Sequence, residues 1–372
     1  MEYGKAGLRQ FITAFVFIGI VSVLFALNLI IKPPEVLVSE RRKPAEFPEL
    51  TIGTVASGSF MDKFEGYAAD HFVFRDGFRA IRAFTVLDVL MMTDKSGVYR
   101  SENVGVGEFK SIDADAYVQS AEKIRKVAES PQLEGLNIYY TIVPDKSIFA
   151  ERYMPGFDPA QAEELLSSVL ADLDYIRLIG TDALGADSYY RTDLHWNQAE
   201  IAKAVELLSS EMGVSTDISG YSKETAGDFS GVYAGHLALP VPPDSLSYLT
   251  LPTLSASYLN DKTLQFEPGP VYDLERFKGI DPYDIFMCGP QPIVVLENKN
   301  ATTQRELYIF RDSFGSSLAP LMANSYSKIT LIDLRYINWS IVDQFVQFEP
   351  GSDVLFIYSS QILNNPSTLQ VQ

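Results

Sequence analysis

The C-terminal third of the chain alternates short, wholly apolar runs with stretches of helical period. Residues 293–296, 307–310, 328–332 and 353–358 read as strands, and 315–324 and 339–348 as helices between them. Strands that lack polar alternation and are separated by helices predict a parallel sheet covered on both faces. The same reading extends upstream. Residues 136–143 form a β-branched and aromatic run that stops at Pro144, preceded by a helical stripe through Tyr117, Ala121, Ile124 and Ala128.

Two helix starts stand out. Asp158-Pro159-Ala160-Gln161 offers a capping Asp, a proline at the first helical position and a Gln placed to reach back, with Leu165, Leu166, Val169 and Leu173 as its buried face. Asn197-Gln198-Ala199-Glu200 repeats the pattern, and Trp196 before it is spaced to staple against Ile201. Residues 60–92 carry apolar positions at helical spacing on either side of His71-Phe72-Val73-Phe74-Arg75-Asp76, predicting two helices around a short break. Residues 214–290 are rich in Pro, Gly, Tyr and Ser with no helical period, which predicts a β-rich or irregular insertion.

The longest apolar run lies near the start. Residues 11–31 contain no charge, and Thr13, Ser22 and Asn28 are the only clearly polar members. This is long enough to cross a hydrocarbon core and longer than the apolar part of a usual signal peptide. An uncleaved membrane anchor is therefore expected, with a cleaved signal as the alternative. Pro33, Pro34, Pro44 and Pro48 make 32–60 a linker. The expected domains are an anchor at 1–31, that linker, and one α/β domain over 61–372 with its insertion at about 214–290. Lys5 and Arg9 precede the span whereas Lys32, Arg41, Arg42 and Lys43 follow it, so positive charge alone would place the large domain in the cytoplasm.

A net charge of -18 over 372 residues opposes binding to a phosphate backbone, so nucleic acid is not an expected partner. Cys288 is the one cysteine, which rules out an intrachain disulfide and a cysteine-based zinc cluster. No metal or other cofactor is expected.

Three histidines, His71, His195 and His236, limit the candidates for a general base. Asp193 stands two residues before His195, where it could accept the Nδ1 proton and leave Nε2 to activate a nucleophile. Ser313 follows an apolar strand and precedes a helix, a layout that exposes Oγ and directs backbone N–H groups toward a developing oxyanion. Both features have plainer readings, a surface ion pair and a helix N-cap. His71 with Arg75-Asp76 reads as a structural ion pair and helix break, and His236 as a surface residue.

Thr192-Asp193-Leu194-His195-Trp196 resembles the signature of the DHHW proteins and of the alginate O-acetyltransferase-like members of the SGNH hydrolase superfamily. Residues 70–76 are similar to the family's "DHFxxRD" segment, Val143-Pro144-Asp145-Lys146 to its "PxK" strand end, Arg311-Asp312-Ser313-Phe314 to its "GDSF" block, and 332–337 to a late block. The resemblance implies an SGNH-hydrolase-like α/β/α fold of three layers and a mostly parallel sheet. Carried over by residue, Ser313 would be the nucleophile, His195 the base and Asp193 its orienter. The N–H of Ser313 would serve the oxyanion, with Arg311, Lys146 and Trp196 as further oxyanion or substrate contacts.

It further implies an extracytoplasmic domain that acetylates a cell-surface or exopolysaccharide. The acetyl group would come from a membrane-bound O-acyltransferase. An acetyl-esterase with the same residues, or a silent polysaccharide-binding scaffold, are the alternatives. Leu194 replaces the middle His of the signature. Arg311 replaces a Gly, where a bulky cation would either crowd the serine or help bind an anion.

Overall fold

A computed structural model describes residues 2–108, 111–150 and 158–371, with residues 2–8 described by their backbone alone. The chain forms two compact units, 1–92 and 93–372. Residues 61–92, expected within the large domain, cluster with the first unit.

The first unit is helical: α1 (Glu2–Ile30), α2 (Ile52–Ala56), α3 (Ser59–Asp70) and α4 (Arg75–Phe84), the last continued by a wider π turn over Thr85–Val89. Within α1, residues 9–30 are long and apolar enough to cross a membrane by length and composition. Two of its polar side chains bond back along the helix, Thr13 Oγ1 to the Arg9 carbonyl at 3.0 Å and Asn28 Nδ2 to the Leu24 carbonyl at 2.9 Å. The Lys5 side chain, counted among the flanking charges, lies outside those described. The expected break separates α3 from α4. His71 stays structural, with Nδ1 2.8 Å from the Tyr67 carbonyl and its ring stacked on Tyr67.

The second unit runs β1 (Val98–Ser101), β2 (Gly105–Glu108), α5 (Ala114–Ala128), β3 (Asn137–Val143), α6 (Pro159–Leu170), β4 (Ile176–Leu178), α7 (Ala202–Glu211), β5 (Ser222–Phe229), α8 (Val232–Leu237), β6 (Asp244–Thr250), β7 (Leu254–Leu259), β8 (Phe266–Gly269), β9 (Ile293–Asn298), β10 (Glu306–Arg311), α9 (Ser313–Met322), β11 (Lys328–Ile332), β12 (Asp353–Ser359) and α10 (Ser360–Leu363). Its main sheet has the order β4-β3-β12-β10-β11-β9-β7-β8. The first five strands are mutually parallel. The three beyond β11 run antiparallel, so residues 293–296 form a strand as expected but not a parallel one. The insertion supplies β7 and β8 to this edge and pairs β5 with β6 as a separate ribbon.

Alternation along the strands explains why these runs are apolar throughout. Leu307, Ile309, Leu355 and Ile357 enter one core, whereas Tyr308, Phe310, Val354 and Phe356 enter another on the opposite face. A strand with no solvated face has no polar positions to alternate. Two predicted helices are altered. Residues 339–344 form a 3-10 turn in place of the longer helix. Asn197 caps a 3-10 turn over 198–200 by accepting from the Ala199 N–H, and the α-helix begins only at Ala202.

Candidate active site

The carboxyl end of β10 leads directly into α9. Asp312, the cap, accepts the Phe314 N–H with Oδ1 at 3.0 Å and the Ser359 N–H with Oδ2 at 2.7 Å, tying the ends of neighbouring strands β10 and β12 together. Ser313 is thereby placed at the first helical position, partly exposed, with its own N–H lacking an acceptor inside the helix. The plainer N-cap reading and the nucleophile reading thus fall on adjacent residues. The turn is tight: a Cβ on Gly315 would lie 2.5 Å from the Arg311 Cβ.

His195 reaches this serine from 118 residues away in sequence, with Nε2 2.8 Å from Ser313 Oγ. Its Nδ1 lies 2.8 Å from Asp193 Oδ2. Both His195 and Asp193 are buried. A hydroxyl, an imidazole and a carboxylate linked in this order can pass the hydroxyl proton to the imidazole while the carboxylate fixes the tautomer.

The segment bearing Asp193 and His195 is a tight loop. An isolated bridge between Tyr189 and Trp196 closes it, with the Tyr190 N–H donated to the His195 carbonyl at 3.1 Å. The Asp244 carboxylate holds its bend, accepting from the N–H groups of Arg191 at 2.8 Å and Thr192 at 2.7 Å. The other oxygen of Asp193 accepts the Val232 N–H at 2.8 Å, where α8 begins. That approach needs glycine before it, because a Cβ on Gly231 would lie 2.3 Å from the Thr192 carbonyl and 2.4 Å from the Asp193 Cβ.

Two expected contacts take other positions, and a third borders the cleft. Lys146 is fully buried, and Nζ donates to the carbonyls of Val104 at 3.2 Å, Tyr190 at 2.8 Å and Arg191 at 3.2 Å. Burial pushes its pKa down to about 8 against an upward pull from Asp145. It supports the loop from beneath and does not line the cleft. Trp196 is also enclosed, its Nε1 donated to Ser317 Oγ at 2.6 Å and its ring edge-on to Phe314. It therefore clamps the loop to α9. Arg311 borders the cleft but is buried, with Nη1 donated to Ser316 Oγ at 2.8 Å and 3.4 Å from Asp333. Gly315 makes room for its stem, so it does not crowd the serine. Burial lowers its pKa despite Asp333, and its buried Nε has no hydrogen-bond partner.

Tyr283 is a residue that sequence reasoning missed. Its ring stacks on His195 at 3.8 Å between centroids and 6° between planes, and its hydroxyl donates to Ser317 Oγ at 2.7 Å. Burial holds that phenol well above its usual pKa, so it stays neutral. It sits in the insertion, where no periodicity marked it. The cleft above Ser313 and His195 has a volume of about 290 Å³ and is also lined by Asp281, Asp284, Arg335 and Gln361. Gly289, on one wall, ends a run of three successive residues at positive φ, Met287-Cys288-Gly289. His236 lies apart, with Nδ1 3.2 Å from Glu108 Oε2. Among the described residues no group of three or more His, Cys, Asp or Glu side chains is placed to hold a metal.

No protein-family model matches the chain, and no curated protein matches it in sequence. Solved structures do. A DHHW family protein from Eubacterium siraeum is similar over 74% of this chain and 94% of its own, at 21% identity and a TM-score of 0.53. Bacillus cereus PatB1, solved with a sulfonyl adduct, is similar over 74% of this chain and 98% of its own, at 16% identity and a TM-score of 0.55. The O-acetyltransferase domain of Pseudomonas putida AlgJ is similar over 73% and 93%, at 13% identity and a TM-score of 0.40. The resemblance read from residues 192–196 and 311–314 is thus met by the solved structures, and the chain shares the fold of the DHHW family protein and of PatB1.

Proposed function

We propose that this chain is a membrane-anchored, extracytoplasmic O-acetyltransferase of the SGNH type, acting on a cell-surface or exopolysaccharide through Ser313, His195 and Asp193. The observation that carries the reading is the continuous Asp193–His195–Ser313 hydrogen-bond chain opening into a cleft at a parallel strand end. Ligands of open α/β sheets bind outside the carboxyl ends of strands. The sulfonyl adduct of PatB1, a protein of the same fold, adds support.

His195 Nε2 takes the Ser313 proton as Oγ attacks the acyl carbonyl. The Ser313 N–H faces the resulting oxyanion, and the imidazolium returns the proton to the departing donor group. An acyl-serine remains. A sugar hydroxyl then attacks it, His195 accepts that proton, and the proton passes to Ser313 Oγ as the ester bond to serine breaks. Residues 9–30 serve as the anchor, and a membrane-bound O-acyltransferase supplies the acetyl group.

Water could replace the sugar because Ser313 is partly exposed, which makes an acetyl-esterase the second reading. Reaction of the full chain with an aryl sulfonyl fluoride tests the serine. Mass analysis should find the adduct on Ser313 in the wild type and no adduct in Ser313→Ala. Wild-type release of acetate from an activated ester by Ser313→Ala would refute the mechanism. Products formed with and without an acetyl-accepting oligosaccharide separate transfer from hydrolysis.

A further inference from the structure

Helix α4 turns apolar side chains outward. Its sheltered side holds the fully buried Ala83 together with two charges. Arg75 and Arg79, with side chains 16% and 19% exposed, pair with Glu40 at 2.6 and 3.1 Å. Arg75 also lies 3.2 Å from Asp70, which Arg42 grips at 2.6 Å. Hydrogen bonding from Arg42 holds the Asp70 carboxyl below its usual range, and Arg75 and Arg79 do so for Glu40 against the upward push of its burial. The outward side is apolar. Phe74, Phe78, Ile81 and Val89 recur at helical spacing and are 60%, 45%, 63% and 58% exposed. Phe72 and Leu90-Met91-Met92 extend the stripe at its two ends. An amphipathic helix normally turns this face to a core, and a contiguous exposed apolar patch marks a binding surface.

One hydrogen bond says where the patch sits. The N–H of Val73, in the turn before α4, donates to Asn28 Oδ1 at 2.8 Å. Asn28 lies in the last turn of α1, two residues before its end at Ile30. Phe72 and Phe74, on either side of Val73, are therefore held at the level where the apolar span gives way to polar chain. This is the depth at which an interfacial helix buries its apolar face, with arginines on its other side.

We infer that the Phe74–Phe78–Ile81–Val89 face, formed by α4 with its cap and the π turn that continues it, lies in the lipid–water interface beside the end of α1, a second membrane contact of the first unit. The inference rests on reading α1 as a span, and the test separates the two. Single cysteines at Phe78, Ile81, Asp76 and Ile18, in a Cys288→Ser background, would carry an environment-sensitive fluorophore. The full chain would be reconstituted in phosphatidylcholine–phosphatidylglycerol vesicles.

Probes at Phe78 and Ile81 should lose most of their emission to lipid spin-labelled near the headgroup and little to aqueous iodide. The Asp76 probe should behave in the opposite way. The Ile18 probe should be quenched by lipid labelled deep in the acyl chain. Deep quenching at Ile18 with iodide quenching at Phe78 and Ile81 overturns the interfacial face and leaves the span intact. Shielding of Phe78 and Ile81 from both quenchers also overturns it, in favour of a protein partner. Absence of lipid quenching at Ile18 overturns the anchor itself. The second apolar site keeps the result readable if Phe78→Cys loses helix by circular dichroism.

Discussion

Ser313 and His195 meet at 2.8 Å, yet they are held in place by different means. Ser313 sits where a buried strand turns into a helix, and its position follows from β10, α9 and the Asp312 cap between them. His195 sits in an irregular loop steadied by Lys146 from below, Asp244 at its bend, the start of α8 at Asp193, and Trp196 and Tyr283 against α9. Regular structure places the serine at a generic strand end. Contacts drawn from four distant segments, three through side chains and one through the Val232 N–H, place His195. Damage on the serine side should therefore register first as lost stability, and damage on the base side first as lost turnover.

The largest effects lie at the junction. Ser313→Ala and His195→Ala should each lower turnover of an activated acetyl ester by on the order of 10⁶, and Asp193→Asn by about 10⁴. Steady-state kinetics checks this. Equal losses for all three would mean that Asp193 does more than orient the imidazole.

Next come paired substitutions that set the two sides against each other. Asp244→Ala removes the acceptor for two loop N–H groups and should cut turnover about 10²-fold through misplacement of His195, with a small change in melting temperature. Gly315→Ala forces a methyl group against the Arg311 stem and should cost ~1–3 kcal/mol by denaturant melting. If each variant loses activity and stability in the same proportion, the contrast between the sides fails.

A smaller, pH-dependent effect belongs to Lys146. Its folded pKa of about 8 is below the 10.5 of the free side chain, so between those values the unfolded chain binds more protons. Stability from this group then rises with pH across the window, by at most ~3 kcal/mol, and is absent below it. Urea midpoints of wild type and Lys146→Met, measured from pH 7.5 upward, should diverge in favour of the wild type. The smallest effect is expected of Tyr283→Phe, which keeps the stack on His195 and loses the hydroxyl's contacts with Ser317 Oγ and the Trp196 carbonyl, costing about 1 kcal/mol with turnover nearly unchanged. Tyr283→Leu removes the stack as well and should lower turnover further.

The same contrast explains what was legible in the sequence. The serine side was readable because a strand buried on both faces is apolar throughout, and an Asp-Ser pair marks where it ends. On the base side the acid, the histidine and their spacing were visible. Their supports were not, because Lys146, Asp244, Gly231 and Tyr283 act through contacts at long sequence separation and leave no period behind. Lys146 and Trp196 were picked out for the right region and the wrong face. The run at 293–296 showed a buried strand, but burial on both faces does not encode direction, and β9 proved antiparallel.

The insertion bears on the acceptor range of the proposed transferase. The short stretch 281–290 lines the cleft through Asp281, Tyr283, Asp284, Gly289 and Pro290, and the same stretch carries the ring stacked on His195. Asp281 is committed to the backbone of that ring, accepting the Tyr283 N–H at 3.0 Å, so the cap and the stacked ring are constrained together. Under the proposed function, a library that randomises 284 and 290 while holding 281 and 283 is the economical route to an altered acceptor range.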